Sequence, residues 1–310
     1  MMKKILLTIL CSIGLSCSAQ AETIGISMAR LDENFQAILF KKMNEDVAKK
    51  PEITLRSEDA QGDISRQQSQ IENLIASGVD GLVVMLIDAD SGAAISKMAE
   101  NSNIPLIFIN NAPTNVDQLP KGQAYVGSNE VEAGLLQADF LCKTFKGEGR
   151  AVVLQGLLGT AGQRGRVKGF HDGLAKEGCD RIKIVEEQTA NWSRTTAMDL
   201  MSNWLSAGFK FNIVVANNDE MAIGAIQAMK AAGATLDDVV ILGVDGTADG
   251  LSSITAGDLT ATMFQNAKAQ ADQSIEAVQK LIKGEDVAQK IYIPFELITK
   301  ENIQSYLNRN

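Results

Sequence analysis

The sequence predicts an α/β protein of two similar lobes, each a parallel sheet with helices on both faces. Three observations carry this. Short apolar runs alternate with longer amphipathic stretches from Thr23 onward. The alternation restarts near the middle of the chain. Polar side chains gather just after the apolar runs, where parallel sheets place their ligands.

In the first block, strands are expected at residues 24–28, 53–55, 81–86, 105–109 and 124–127. Helices are expected at 35–48, 65–77 and 91–101, each with apolar positions at helical spacing. Another helix is placed at 130–145, and the second block follows with strands at 151–155, 183–187, 213–216, 239–244 and 259–264. Helices fall between them at 165–177, 195–206, 220–232 and 249–256. A helix at 267–281 and a strand at 291–294 close the pattern. No Pro- or Ser-rich linker follows either block, so short direct crossovers are expected.

The first residues predict export. Lys3 and Lys4 precede an apolar run over 5–15, and Ala19-Gln20-Ala21 has the small-x-small pattern of a signal-peptidase site. The run is about half of the roughly twenty residues a membrane span needs. Residues 1–21 are therefore expected to be a signal peptide cleaved before Glu22, with the mature protein in the periplasm. A lipoprotein anchored through Cys17 is disfavoured by Gly14, where a bulky apolar residue is wanted. Removing Lys3 and Lys4 takes the formal charge from −9 to −11. An acidic chain without a basic cluster is a poor partner for nucleic acid or anionic membrane. Cys142 and Cys179 would be left as an even pair in an oxidising compartment, where a disulfide is favoured over two buried thiols.

The polar residues after the strands are rich in amides, carboxylates and guanidinium: Glu33, Asn110, Asn111, Arg164, Arg166, Asn218, Asp245 and Gln265. Planar groups of these kinds can hold neighbouring hydroxyls in pairs. Phe35 and Trp192 stand at matching positions, although aromatic residues make up only 5% of the chain. Together they favour a clamp on the two C–H faces of a ring. A small polyhydroxylated ring is the expected ligand.

These segments resemble the periplasmic sugar-binding proteins of the type I (ribose, galactose) family. The resemblance rests on Asp32-Glu33-Asn34-Phe35, on the stretch from Val215 to Ala222, on Gly243-Val244-Asp245-Gly246-Thr247 and on Thr262-Met263-Phe264-Gln265. The segments from Glu186 to Arg194 and from Tyr292 to Glu296 look most like the inositol- and rhizopine-binding branch. The resemblance implies two αβα lobes joined by three short crossovers. One lobe would hold residues 22–128 plus 265–293, the other 129–264 plus 294–310. It further implies a monomer that captures its ligand by hinge closure for the membrane permease and ATPase of an ABC importer. A chemoreceptor is a second candidate partner.

Carried over by position, Phe35 and Trp192 match ring-stacking aromatics, and Asn110, Asn218, Asp245 and Gln265 match hydroxyl-binding positions. Glu33 sits where galactose-type members have an acidic ligand group. Arg164 falls where ribose-type members place an arginine and Arg166 where galactose-type members do, so the two compete for one role. Asn111 stands where many members carry Arg or Lys. The branch favours myo-inositol or a related inositol, with ribose- or galactose-type binding as the alternative. The galactose-type calcium loop has no counterpart near 147–150, so no metal and no cofactor are expected.

An enzyme acting on a sugar is the remote alternative. The only histidine, His171, lies on a predicted helix without a partner cluster, and no metal-ligand spacing or nucleophile motif occurs. The run from Gly156 to Gly162 lacks the endings that phosphate loops need. A sugar-responsive repressor would require a DNA-binding module where the export segment lies.

Overall fold

The computed structural model describes residues 21–310; the expected signal peptide and its cysteines, up to Gln20, lie outside the described residues. The first lobe is built from β1 (Glu22–Met28), α1 (Asn34–Val47), β2 (Ile53–Asp59), α2 (Ile64–Ala76), β3 (Gly81–Val84), α3 (Gly92–Asn101), β4 (Leu106–Ile109) and β5 (Gln123–Gly127). The second continues with α4 (Glu130–Thr144), β6 (Gly149–Gln155), α5 (Ala161–Leu174), β7 (Ile182–Thr189), α6 (Arg194–Ser206) and β8 (Ile213–Ala216). Then come α7 (Asp219–Ala231), β9 (Val240–Asp245), α8 (Ala248–Ala256) and β10 (Ala261–Phe264), after which α9 (Ala267–Ile282) and β11 (Lys290–Tyr292) return to the first lobe and β12 (Glu296–Thr299) to the second.

Two six-stranded sheets result, ordered β11-β5-β4-β3-β1-β2 and β12-β10-β9-β8-β6-β7. Each contains one strand more than the five-strand block predicted for it. The expected strand at 291–294 supplies β11, which ends earlier because Pro294 has no N–H to continue a ladder. β12 escaped prediction: it is four residues long, and it pairs antiparallel with β10 at the sheet edge. The chain passes between sheets three times, at residues 128–129, 265–266 and 293–295.

Period-two alternation explains the layering. Ile24, Ile26 and Met28 of β1 pack with Leu39 and Met43 of α1 and with Ile275 of α9 on one face. Leu82, Val84, Leu106 and Phe108 face the opposite way, toward Ile71 and Ile95. The second lobe repeats the plan, with Met201, Trp204 and Met221 on one face and Leu141, Phe170 and Val215 on the other. Burying each such side chain stabilises by about 1.5–3 kcal/mol.

Two local features bear on the site. Helix α5 starts at Ala161, four residues before the predicted start, because the Thr160 hydroxyl accepts from the Gln163 N–H and caps it. Its glycines 165, 169 and 173 form a stripe with no side chains against α4. A Cβ at Gly165 would strike Glu130, and one at Gly169 would strike the Val131 carbonyl. The two helices can therefore pack at backbone contact, which fixes Glu130 against Arg166. Cys142, late in α4, is joined to Cys179 by a disulfide with Cα atoms 5.2 Å apart.

Candidate functional site

A cleft between the carboxyl ends of the two sheets encloses about 490 Å³ of atom-free space, part of it open to solvent. The first lobe lines it with Glu33, Phe35, Gln36, Met85, Asn110 and Asn111; the second contributes Glu130, Thr160, Gly162, Arg166, Trp192, Asn218 and Asp245. Gln265 enters from the second crossing. Nine of the ten ligand residues expected from the sequence thus surround one cavity.

Arg164 is the exception. It lies in the first turn of α5, points to the rim, and forms two hydrogen bonds to Asp90 of the other lobe at 3.1 and 2.9 Å. Arg166 is two residues on, about 200° around the helix, and so faces inward. Arg166 is 5% exposed. Of the two arginines that compete for one role in the sequence, Arg166 therefore lines the cavity and Arg164 lies at its rim, paired with Asp90.

The backbone is bent to aim several of these groups. Asn110, Trp192 and Asp245 adopt φ of 62°, 63° and 119°, a region that costs non-glycine residues of order 1–3 kcal/mol. Trp192 is seated by the glycine run that was set aside as a phosphate loop. A Cβ on Gly156 would collide with its indole, and Gly162 lies in contact beyond. The absent side chains make room for a large aromatic at the cavity wall.

Asn218 caps α7 by accepting from the Met221 N–H at 2.9 Å, and its amide donates to the Trp192 carbonyl at 3.3 Å. One amide hydrogen is left for a ligand. Asn110 donates to Gln270 at 3.1 Å, and Tyr125 holds its carbonyl at 2.7 Å. Asn111 is held at both ends, donating to the Leu86 carbonyl at 2.6 Å and accepting from the Ala161 N–H of the opposite lobe at 2.7 Å. It lines the cavity chiefly as a clasp between lobes. A further bond between the lobes joins Asn34 to Glu220 at 2.9 Å.

Arg166 organises the floor. It donates through Nε to Glu130 at 2.7 Å and through Nη2 to Gln265 at 3.2 Å, and it lies 3.7 Å from Asp245. The Trp192 ring stacks over it, 5.5 Å from the guanidinium carbon. Burial pushes the Asp245 carboxyl well above the ordinary carboxylate range, with the Arg166 charge opposing. Burial also raises Glu33, against a hydrogen bond from Gln36. A neutral or half-charged acid can both donate to and accept from hydroxyls.

Glu130 is the main residue that sequence reasoning missed. It follows β5 by three residues, at the same kind of strand-end position as the other site residues, and that position is the signal for it. His171 is exposed, 3.0 Å from Glu187 and away from the cleft. Among the described residues, no group of three or more His, Cys, Asp or Glu side chains is placed to hold a metal.

A model of the periplasmic binding protein domain matches residues 24–286. A Rhizobium meliloti protein named for rhizopine binding is 50% identical over 310 residues, the whole of both chains. An ABC transporter solute-binding protein of Bacillus halodurans, solved with bound myo-inositol, is 36% identical with a TM-score of 0.87. That match covers 95% of this chain and 100% of the other. The Caulobacter myo-inositol binding protein, solved with myo-inositol, gives 0.84 at 28% identity over 93% and 96% of the two chains. With two lobes of the type I fold around one polar cleft, the chain belongs to the periplasmic binding proteins, a family of extracytoplasmic, non-enzymatic solute binders.

Proposed function

We propose that this protein is the solute-binding subunit of an ABC importer and captures a cyclitol, myo-inositol or a close relative, by closing its lobes around the ring. The observation that carries this is the pairing of Phe35 and Trp192, one from each lobe, in a cavity whose other lining is mostly amides, carboxylates and one arginine. Aromatic faces suit the C–H faces of a ring, and planar polar groups suit its equatorial hydroxyls. The myo-inositol complexes of the Bacillus and Caulobacter relatives support a cyclitol over a pentose or hexose.

Closure explains selectivity. Each hydroxyl buried by the lobes must find a partner, and an unpaired one costs about 1–3 kcal/mol. An epimer that turns one hydroxyl away from Asn218 or Asp245 would carry that cost. Ligand contacts made only in the closed form shift the open-to-closed equilibrium, and the closed protein is what the membrane subunits would receive.

A thermal-shift panel of inositols, pentoses and hexoses tests the proposal, because a ligand stabilises the folded state by RT ln(1 + [L]/Kd). The largest shift is expected with an inositol. A larger shift with ribose or galactose would replace the cyclitol assignment.

A further inference from the structure

All three chain crossings between the lobes converge on one side chain. Glu130 follows the first crossing and takes the Arg166 Nε hydrogen at 2.7 Å. Gln265 lies in the second crossing, accepts from Nη2 at 3.2 Å, and donates to Glu130 at 3.2 Å. Phe295 lies in the third crossing, with its ring 5.8 Å from the guanidinium carbon. The remaining terminal nitrogen donates to the Asn217 carbonyl at the end of β8. Glu130, Gln265, Phe295 and Arg166 are each 7% exposed or less.

A guanidinium is planar, and its donors leave in fixed directions. With Glu130 and Gln265 also bonded to each other, the three groups form a closed ring that leaves the plane one orientation. Trp192 and Asp245, both cavity residues, lie against the guanidinium, 5.5 Å from its carbon and 3.7 Å from Nη1. Gln265 and Phe295 sit in the crossings themselves, so torsion changes there on opening would bear directly on groups that hold the plane. The plane in turn sets where Trp192 and Asp245 meet a ligand.

We propose that Glu130 and Phe295 are positioning residues that act through Arg166, making it the junction where cavity occupancy and hinge angle are coupled. This rests on capture by lobe closure, as proposed above. Phe295 does not line the cavity, so an effect of its substitution on lobe geometry would have to travel through this junction.

The test uses Glu130→Gln, which keeps the shape and removes the charge, and Phe295→Leu, which keeps an apolar side chain and removes the aromatic face. Cysteines introduced at the exposed positions Glu72 and Asn203, one on each lobe, carry spin labels. Pulsed electron resonance then reads the interlobe distance in ligand-free protein. Each substitution is expected to change the closed fraction about three- to tenfold. The double variant should change it no further than the larger single effect, because both act on one group. A wild-type distance distribution in either single variant, or effects that multiply in the double, would overturn the junction. Failure of the wild-type chain to bind myo-inositol would count against the proposed ligand alone, since the distances are measured without it.

Discussion

Gly156→Ala probes the ring clamp without touching a polar group. A Cβ at this position would lie 2.0 Å from the Trp192 ring, where ordinary contact begins at 3.4 Å, so the indole must retreat by about 1.4 Å. The indole lines the cavity, so its displacement moves the face offered to the ring. Overpacking of this kind costs about 1–3 kcal/mol, and a displaced stacking face forfeits about 0.5–1.5 kcal/mol more of ring contact. The overpacking lowers stability of free and bound protein alike, so affinity for the ring should fall by the lost contact alone, about two- to thirteenfold. Calorimetry with myo-inositol measures it. The only other tryptophan, Trp204, is 3% exposed in the core, so ligand-induced fluorescence change reports Trp192 and should shrink in parallel. Trp192→Ala should cost a similar amount, and adding Gly156→Ala to it should cost little more, because the collision is gone. Unchanged affinity and fluorescence in Gly156→Ala would refute the clamp.

Three further outcomes follow from the site and its surroundings. Asp245→Ala should weaken binding more than Asp245→Asn, since the asparagine keeps an acceptor for a buried hydroxyl; equal, near-native affinities would remove Asp245 from the ligand contacts. Arg164→Ala should lose no more than about fivefold in affinity, less in 1 M salt, because its partner Asp90 sits at the solvent-exposed rim; a loss above fiftyfold would return Arg164 to the ligand. Burial pushes Asp219 up to about 6 from an ordinary 3.8, against hydrogen bonds from Thr262 and Thr247. The unfolded chain releases this proton first, so the group's stabilising contribution is full below about pH 4 and lost as pH rises through 6. Relative to wild type, Asp219→Asn should therefore gain about 1–3 kcal/mol in unfolding free energy between pH 4.5 and 7. A pH-independent difference in denaturant titrations would contradict that.

The alternation of apolar runs made the two sheets legible, because buried parallel strands such as Val214-Val215 and Leu82-Val83-Val84 leave nothing polar to confuse the pattern. It failed at β12, a short edge strand with only Ile298 fully buried and a pairing partner more than thirty residues away. The strand-end rule found the cleft but could not count turns. Choosing Arg166 over Arg164 needed the true start of α5, which depends on the Thr160 cap. The role of Gly156 was hidden for a different reason. A glycine that makes room for a distant side chain carries no local signature, and Trp192 lies 36 residues on.

Cyclitol capture by closure is tested most directly by calorimetric titration of the purified protein with myo-inositol, D-ribose and D-galactose under one set of conditions. A saturable one-to-one isotherm is expected with myo-inositol, at least about a hundredfold tighter than with either sugar, the cost of one or two unpaired buried hydroxyls. No heat with myo-inositol, or tighter binding of ribose or galactose, would contradict it.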